Sequence, residues 1–318
     1  MPSAHAPKPG PSENPPGNLP VRLLCLPQGQ PVRRILTGLL LAGGFAIATP
    51  AAPGLELHLT RADPTDLALR GGLVGVAGEQ DRFVRWADLR ALPVTSLTLP
   101  AEFFPGEQQV KVLFLDDLLK ALPVAPDVDT VLATCADGYA AVYRFDFISR
   151  CRPFLILEIN GLGPTQWPPP GLSFNPAPYV ISVSASVAPA VAGLLDPNHK
   201  KPWGVQTLEL VKFADRFRGA STGKWARLSA RAQDGREIWV NSCASCHVGP
   251  GDIFGGTKSG QPFVILQTLA QYQPDFFRLY VRDPKKANPM ARMEAHAHYT
   301  DAQLAALIAF VTAEPGDK

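Results

Sequence analysis

Hydrophobic and polar positions fall into two regimes along the chain. From residue 55 to about 217 the apolar residues come in short β-rich runs, "LELHLT", "LVGVAG", "SLTL", "VKVLF", "TVLATC", "AAVYRF", "FLILEI", "YVISVSA" and "TLELVKF", each bounded by Gly, Pro, Asp or Asn. Two stretches between them, "RWADLRALP" and "LDDLLKALP", space their apolar residues as helices do and stop at proline. This pattern predicts a mixed α+β domain, mostly β, and not a βαβ repeat. Beyond residue 228 the period changes to that of helices. "ARAQDGREIWVNSC" predicts one helix, "LQTLAQYQPDFFRLYVRD" one or two, and "TDAQLAALIAFVTAE" a strong one, with Leu304, Leu307, Ile308 and Val311 on one face. Thr300 followed by Gln303 forms a capping box at its start.

The fold class expected is therefore two domains, the first α+β and mostly β, the second all-α. The boundaries are 55–217 for the first, 218–228 for a polar, glycine-containing basic linker ending the stretch "RFRGASTGKWARL", and 229–318 for the second. Residues 1–54 precede both: the first twenty are too rich in proline to bury a core, and Arg33 and Arg34 then lead into the apolar run "ILTGLLLAGGFAIATPAA". A charged start, an apolar centre and a small-residue end are the parts of a secretory signal, so a periplasmic or otherwise exported protein is expected. An uncleaved membrane anchor is the alternative, since the run approaches spanning length. The arginine pair also allows a twin-arginine signal.

The balance of 30 Lys and Arg against 28 Asp and Glu gives +2 and lacks the basic excess of a dedicated nucleic-acid binder. Proteins or small molecules are the expected partners.

Chemistry concentrates at "CASCH", residues 243–247. Of five cysteines only Cys243 and Cys246 form a C-x-x-C pair, which is half a zinc site, a thioredoxin-like redox pair or, with His following, a haem attachment. Zinc lacks a second C-x-x-C or H-x-x-x-H, and a redox pair belongs in a βαβ context. Two thiols on a short loop can add to the vinyl groups of one porphyrin edge, placing His247 under the iron. The Pro250 carbonyl is the expected acceptor for the other nitrogen of that ring. A Met thioether opposite His raises the haem potential relative to bis-His ligation. Met293 leads as distal ligand, and Met290, His296 and His298 are its rivals.

This segment, residues 229–314, resembles class I cytochromes c: a helix, C-x-x-C-H, a glycine-rich loop, and a Met before a C-terminal helix. The resemblance implies thioethers at Cys243 and Cys246, His247 as proximal and Met293 as distal ligand of one covalent haem c, and electron transport as the function. Glu294 stands where that family usually has Pro after the Met.

The words "TVLATCADGYAAVYRF", "RPFLILEINGLGPTQWP", "APYVIS" and "KPWGVQTLELVKF" together resemble the molybdopterin-binding domain of the sulfite oxidase family. By position Cys135 is the residue that resemblance makes a molybdenum ligand. The family's arginine soon after that cysteine is missing, and the cations available for a pterin phosphate are Arg144, Arg150, Arg152, His199, Lys200 and Lys201. A buried thiol, or a disulfide with Cys151 worth about 3 kcal/mol, are the other readings of Cys135. Tyr139, Trp167 and Trp203 are expected in cores before any ligand pocket or electron path, and Asp137 and Gly138 in a turn. "GGTKSG", 255–260, lacks the order of a nucleotide loop. The expected function is thus an exported monohaem electron-transfer protein with no catalytic residues in its first domain. A molybdenum-dependent oxidoreductase feeding its own haem, or a docking scaffold for a respiratory complex, are the alternatives.

Overall fold

A computed structural model describes residues 55–78, 80–101, 104, 106–217, 228–251 and 253–313. The expected signal run and nearly all of the expected linker lie outside the described residues.

Nine strands build two sheets. β1 (Leu67–Gly71), β2 (Arg82–Val84), β5 (Thr130–Cys135), β6 (Ala140–Arg144) and β9 (Val205–Val211) form one sheet in the order β2-β1-β9-β5-β6. β3 (Thr95–Leu99), β4 (Gln108–Phe114), β7 (Phe154–Ile159) and β8 (Val180–Ser182) form the other in the order β3-β4-β7-β8. Every pairing is antiparallel except β1 with β9. Helices α1 (Trp86–Ala91), α2 (Leu115–Ala121), α3 (Phe145–Cys151) and α4 (Phe213–Arg216) complete this half.

"LELHLT" and "LVGVAG" were expected as strands, yet they contribute only isolated bridges, His58 to Phe83 and Leu73 to Val124. In the second, Gly75 adopts φ +78°, a left-handed turn that ends extended pairing. β1 and β2, unexpected from the pattern, take the strand roles because β1 finds β9 more than 130 residues away, a partner no local pattern announces.

Alternation explains how the sheets bury their faces. In β7, Leu155 and Leu157 enter a core shared with Leu67, Leu69, Val131, Ala133, Tyr143, Leu208 and Leu210 of the other sheet. Phe154 and Ile156 point the opposite way, into a second core with Val110, Val112 and Phe114. β5 and β6 are buried on both faces for another reason. Val131 and Ala133 face the core between the sheets, whereas Leu132 and Val142 belong to the core of the C-terminal half. The continuous apolar runs "TVLATC" and "AAVYRF" are what a strand buried on both sides requires.

That C-terminal half is helical: α5 (Ala230–Asn241), a 3₁₀ turn (Cys243–Ser245), α6 (Phe263–Tyr272), α7 (Pro274–Arg282), α8 (Pro284–Ala287) and α9 (Asp301–Val311). Thr300 caps α9 as its sequence predicts: its hydroxyl accepts from the Gln303 amide at 3.2 Å, and the Gln303 side chain accepts from the Thr300 amide at 2.8 Å. Ser229 caps α5 through the Ala232 amide at 3.2 Å. α5 and α9 pack at Gly235, where any Cβ would overlap the Ala306 carbonyl. Leu304, Leu307, Phe310 and Val311 fill the core beside Ile238 and Trp239. None of the helices among the described residues is long and apolar enough to cross a membrane.

Candidate haem site and domain interface

Helix α5 delivers the cysteines. It ends at Asn241, and the backbone tightens into the 3₁₀ turn that carries Cys243, with the Cys246 and His247 amides both donating to the Cys243 carbonyl, at 3.1 and 2.9 Å. The two thiols are thus one short turn apart with His247 directly behind them. The glycine-rich loop folds back over this turn. The Gly256 amide donates to the Ala244 carbonyl at 2.7 Å, and a Cβ at Gly256 would overlap the Ser245 carbonyl. Only glycine lets the loop lie so close to the motif.

Burial pushes the Cys243 thiol up to about 12 and the Cys246 thiol up to about 11. A redox pair needs an attacking thiol lowered toward or below neutrality, so these two are not poised for disulfide exchange. Among the described residues, neither cysteine belongs to a group of three or more His, Cys, Asp or Glu arranged to hold a metal. Burial and the nearby His296 both depress the His247 imidazole, favouring the neutral form that binds iron.

The residues fit a covalent haem. Trp239 Nε1 is buried with no protein hydrogen-bond partner, and its ring lies 6.2 Å from that of His247. A buried polar atom in that state points to a group that the fold is built around. Cys243 and Cys246 would carry it and His247 would ligate its iron. The Pro250 carbonyl accepts from the Ile253 amide at 3.2 Å, and His247 Nδ1 has no protein hydrogen-bond partner.

Met293 is partly buried and packs against the core of the helical domain, whereas Met290 is 83% exposed. Its neighbour Glu294 is turned to the other domain, accepting from Asn198 at 3.1 Å. His296 is buried and His298 half-exposed, and both reach Asp196 Oδ1, at 3.3 and 2.9 Å. Asp196 is held well below the usual carboxylate range: burial alone would raise it, but hydrogen bonds from His296, Ser242 and Tyr299 outweigh that.

The first domain meets the haem motif directly. Gly138, with φ +81°, forms the turn after β5 together with Asp137, as expected, and its carbonyl accepts from the Thr257 amide at 2.9 Å. Lys258 pairs with Asp137 at 2.7 Å. Tyr139 lies beside Ser245 and bonds His199 Nδ1 at 3.2 Å. The buried Lys200 ammonium donates to the Val142 carbonyl at 2.8 Å and to Asn241 at 3.2 Å, joining β6 to the end of α5. Trp167 is buried in the core of the second sheet, while Trp203 is 38% exposed and stacks on Phe174 at 3.9 Å.

Cys135 ends β5 in the core between the sheets, and burial pushes its thiol up to about 12. No disulfide joins it to Cys151, which lies in a separate cluster with Val183, Ala188 and Val191. Four of the cations named for a pterin phosphate have other partners. Arg144 and Arg150 pair with Asp146, Arg152 lies over Phe114, and Lys200 is spent at the domain interface.

Asp196, Ser242 and Tyr299 were not singled out from the sequence as site residues. Nothing local marks them, because Asp196 lies 46 residues from Ser242 and 103 from Tyr299.

Helix, C-x-x-C-H turn, glycine loop and Met-bearing segment define a cytochrome c domain, and comparison with known families agrees. Residues 230–311 match the family described as cytochrome C oxidase, cbb3-type, subunit III. A haem c and electron transfer follow for that domain. The solved sulfane dehydrogenase SoxCD from Paracoccus pantotrophus is 13% identical, with the match covering 48% of this chain and 40% of that one at a TM-score of 0.34, too slight a likeness to argue from. No curated protein matches the chain.

Proposed function

We propose that the protein is an exported single-electron carrier with one c-type haem, linked through Cys243 and Cys246 and ligated by His247 and Met293. The observation that carries this reading is the C-x-x-C-H turn, closed by the glycine loop and packed against Trp239, whose buried ring nitrogen has no partner. The group supplies reversible one-electron chemistry when bound. The chain's own residues do the rest. His247 and the Met293 thioether would hold the iron, and a thioether ligand would favour a higher potential than bis-His ligation.

The first domain acts in this reading as a non-catalytic partner. It covers the haem motif with the turn at Gly138 and with Tyr139, excludes water from one side, and offers its outer surface to a redox protein or respiratory complex. Export is supported by the apolar run at 35–52.

Elemental analysis of the purified, exported protein tests both halves. One iron and no molybdenum per chain, from cells able to insert molybdenum, is expected; about one molybdenum per iron overturns the non-catalytic role. Met293→Ala should abolish the charge-transfer absorption of a Met-ligated ferric haem and lower the potential, while His296→Gln leaves that absorption intact. The reverse pattern would assign the axial position to His296.

A further inference from the structure

A second group of side chains lies at the domain interface. Asp196 and His199 come from the first domain and His296 from the second, and one ligating atom from each lies within 4.8 Å of the other two. All three residues are buried, with His199 only 7% exposed. His199 Nε2 has no hydrogen-bond partner; the closest carboxylate oxygen recorded for it, on Glu294, is 3.9 Å away.

We propose that Asp196, His199 and His296 form a second metal site, for a divalent ion of the zinc class, linking the two domains.

The donor set is two imidazoles and a carboxylate, which suits zinc and its neighbours; magnesium and calcium demand oxygen ligands. Tetrahedral zinc with arms of about 2.0–2.1 Å sets its ligand atoms about 3.3 Å apart. His296 Nδ1 and Asp196 Oδ1 already stand at 3.3 Å. The surrounding groups orient the ligands as outer-shell partners do. Tyr139 bonds His199 Nδ1, which directs Nε2 inward, and Ser242 and Tyr299 both donate to Asp196 Oδ2, which leaves Oδ1 for an ion. His298 Nε2, half-exposed, lies 2.9 Å from the same Oδ1. His199 and His296 stack with centroids 5.3 Å apart.

The test uses the full chain with haem attached, so that Cys243 and Cys246 are blocked as thioethers. The protein is stripped with a chelator, exposed to zinc chloride and desalted, and zinc is measured against haem. One zinc per haem is expected in the wild type. His199→Gln and Asp196→Asn should each weaken zinc binding at least about tenfold, with haem content and haem absorption unchanged. X-ray absorption at the zinc edge of the wild type, which needs no variant to fold, should show nitrogen and oxygen neighbours with at least two imidazoles. No zinc uptake, uptake that His199→Gln leaves undiminished, or a sulfur shell around the zinc would each overturn the site.

Discussion

Replacing Gly235 by alanine tests how the cytochrome c domain is held together. On a bare helix the change is favourable by about 1 kcal/mol, because glycine is the poorer helix former. Here the added methyl would overlap the Ala306 carbonyl and sit 2.9 Å from the Phe310 Cβ, both on α9. A backbone carbonyl cannot rotate aside, so α5 and α9 must move apart. Their separation loosens Ile238, Trp239, Leu304, Leu307 and Phe310, all nearly inaccessible to solvent. Overpacking of this kind costs about 1–3 kcal/mol, and dispersion falls steeply with gaps below an ångström. With the helix-propensity gain subtracted, the net loss expected is up to about 2 kcal/mol. In a domain of this size that lowers the thermal midpoint by up to roughly 15 °C. Guanidinium unfolding of the haem-loaded chain, followed by far-UV circular dichroism and by haem absorption, should show a lower midpoint with an unchanged slope. Gly235→Val should be worse. A midpoint equal to or above that of the wild type would refute the argument, since propensity would then have won over packing.

Leu132 buries its side chain against the helical domain, so Leu132→Asp should uncouple the two halves and split a single denaturation transition into two, each seen by a different probe; a single transition at the wild-type midpoint would contradict the shared core. The Cys135 thiol, pushed up to about 12, should react with iodoacetamide at pH 8 about a thousandfold more slowly than an exposed cysteine in the folded protein, and at an ordinary rate after unfolding. Because its folded pKa lies above the unfolded value, Cys135 also makes stability fall as pH rises from about 9 to 12, where only the unfolded chain ionises it, and Cys135→Ala should flatten that part of the pH profile. Thr300→Ala removes both hydroxyl bonds of the α9 capping box and should cost about 1 kcal/mol in thermal or denaturant unfolding, with serine restoring most of it.

Local pattern was enough for the helical half. The capping box at Thr300, the apolar stripe of α9 and the C-x-x-C-H turn depend on residues within a few positions of each other, and each stands where its spacing places it. Patterning also located most strands of the first domain, since a strand buried on both faces must be apolar throughout. It failed at β1, whose parallel partner is distant in the chain, and at "LVGVAG", where a glycine in the left-handed region turns the backbone away. Only the tertiary structure decided that Leu132 and Val142 face another domain and that the Gly138 turn closes over the haem loop. It alone brought Asp196, His199 and His296 to one point. Covalent attachment chemistry is written in neighbouring residues, whereas a cluster drawn from both domains exists only after two cores have formed and docked.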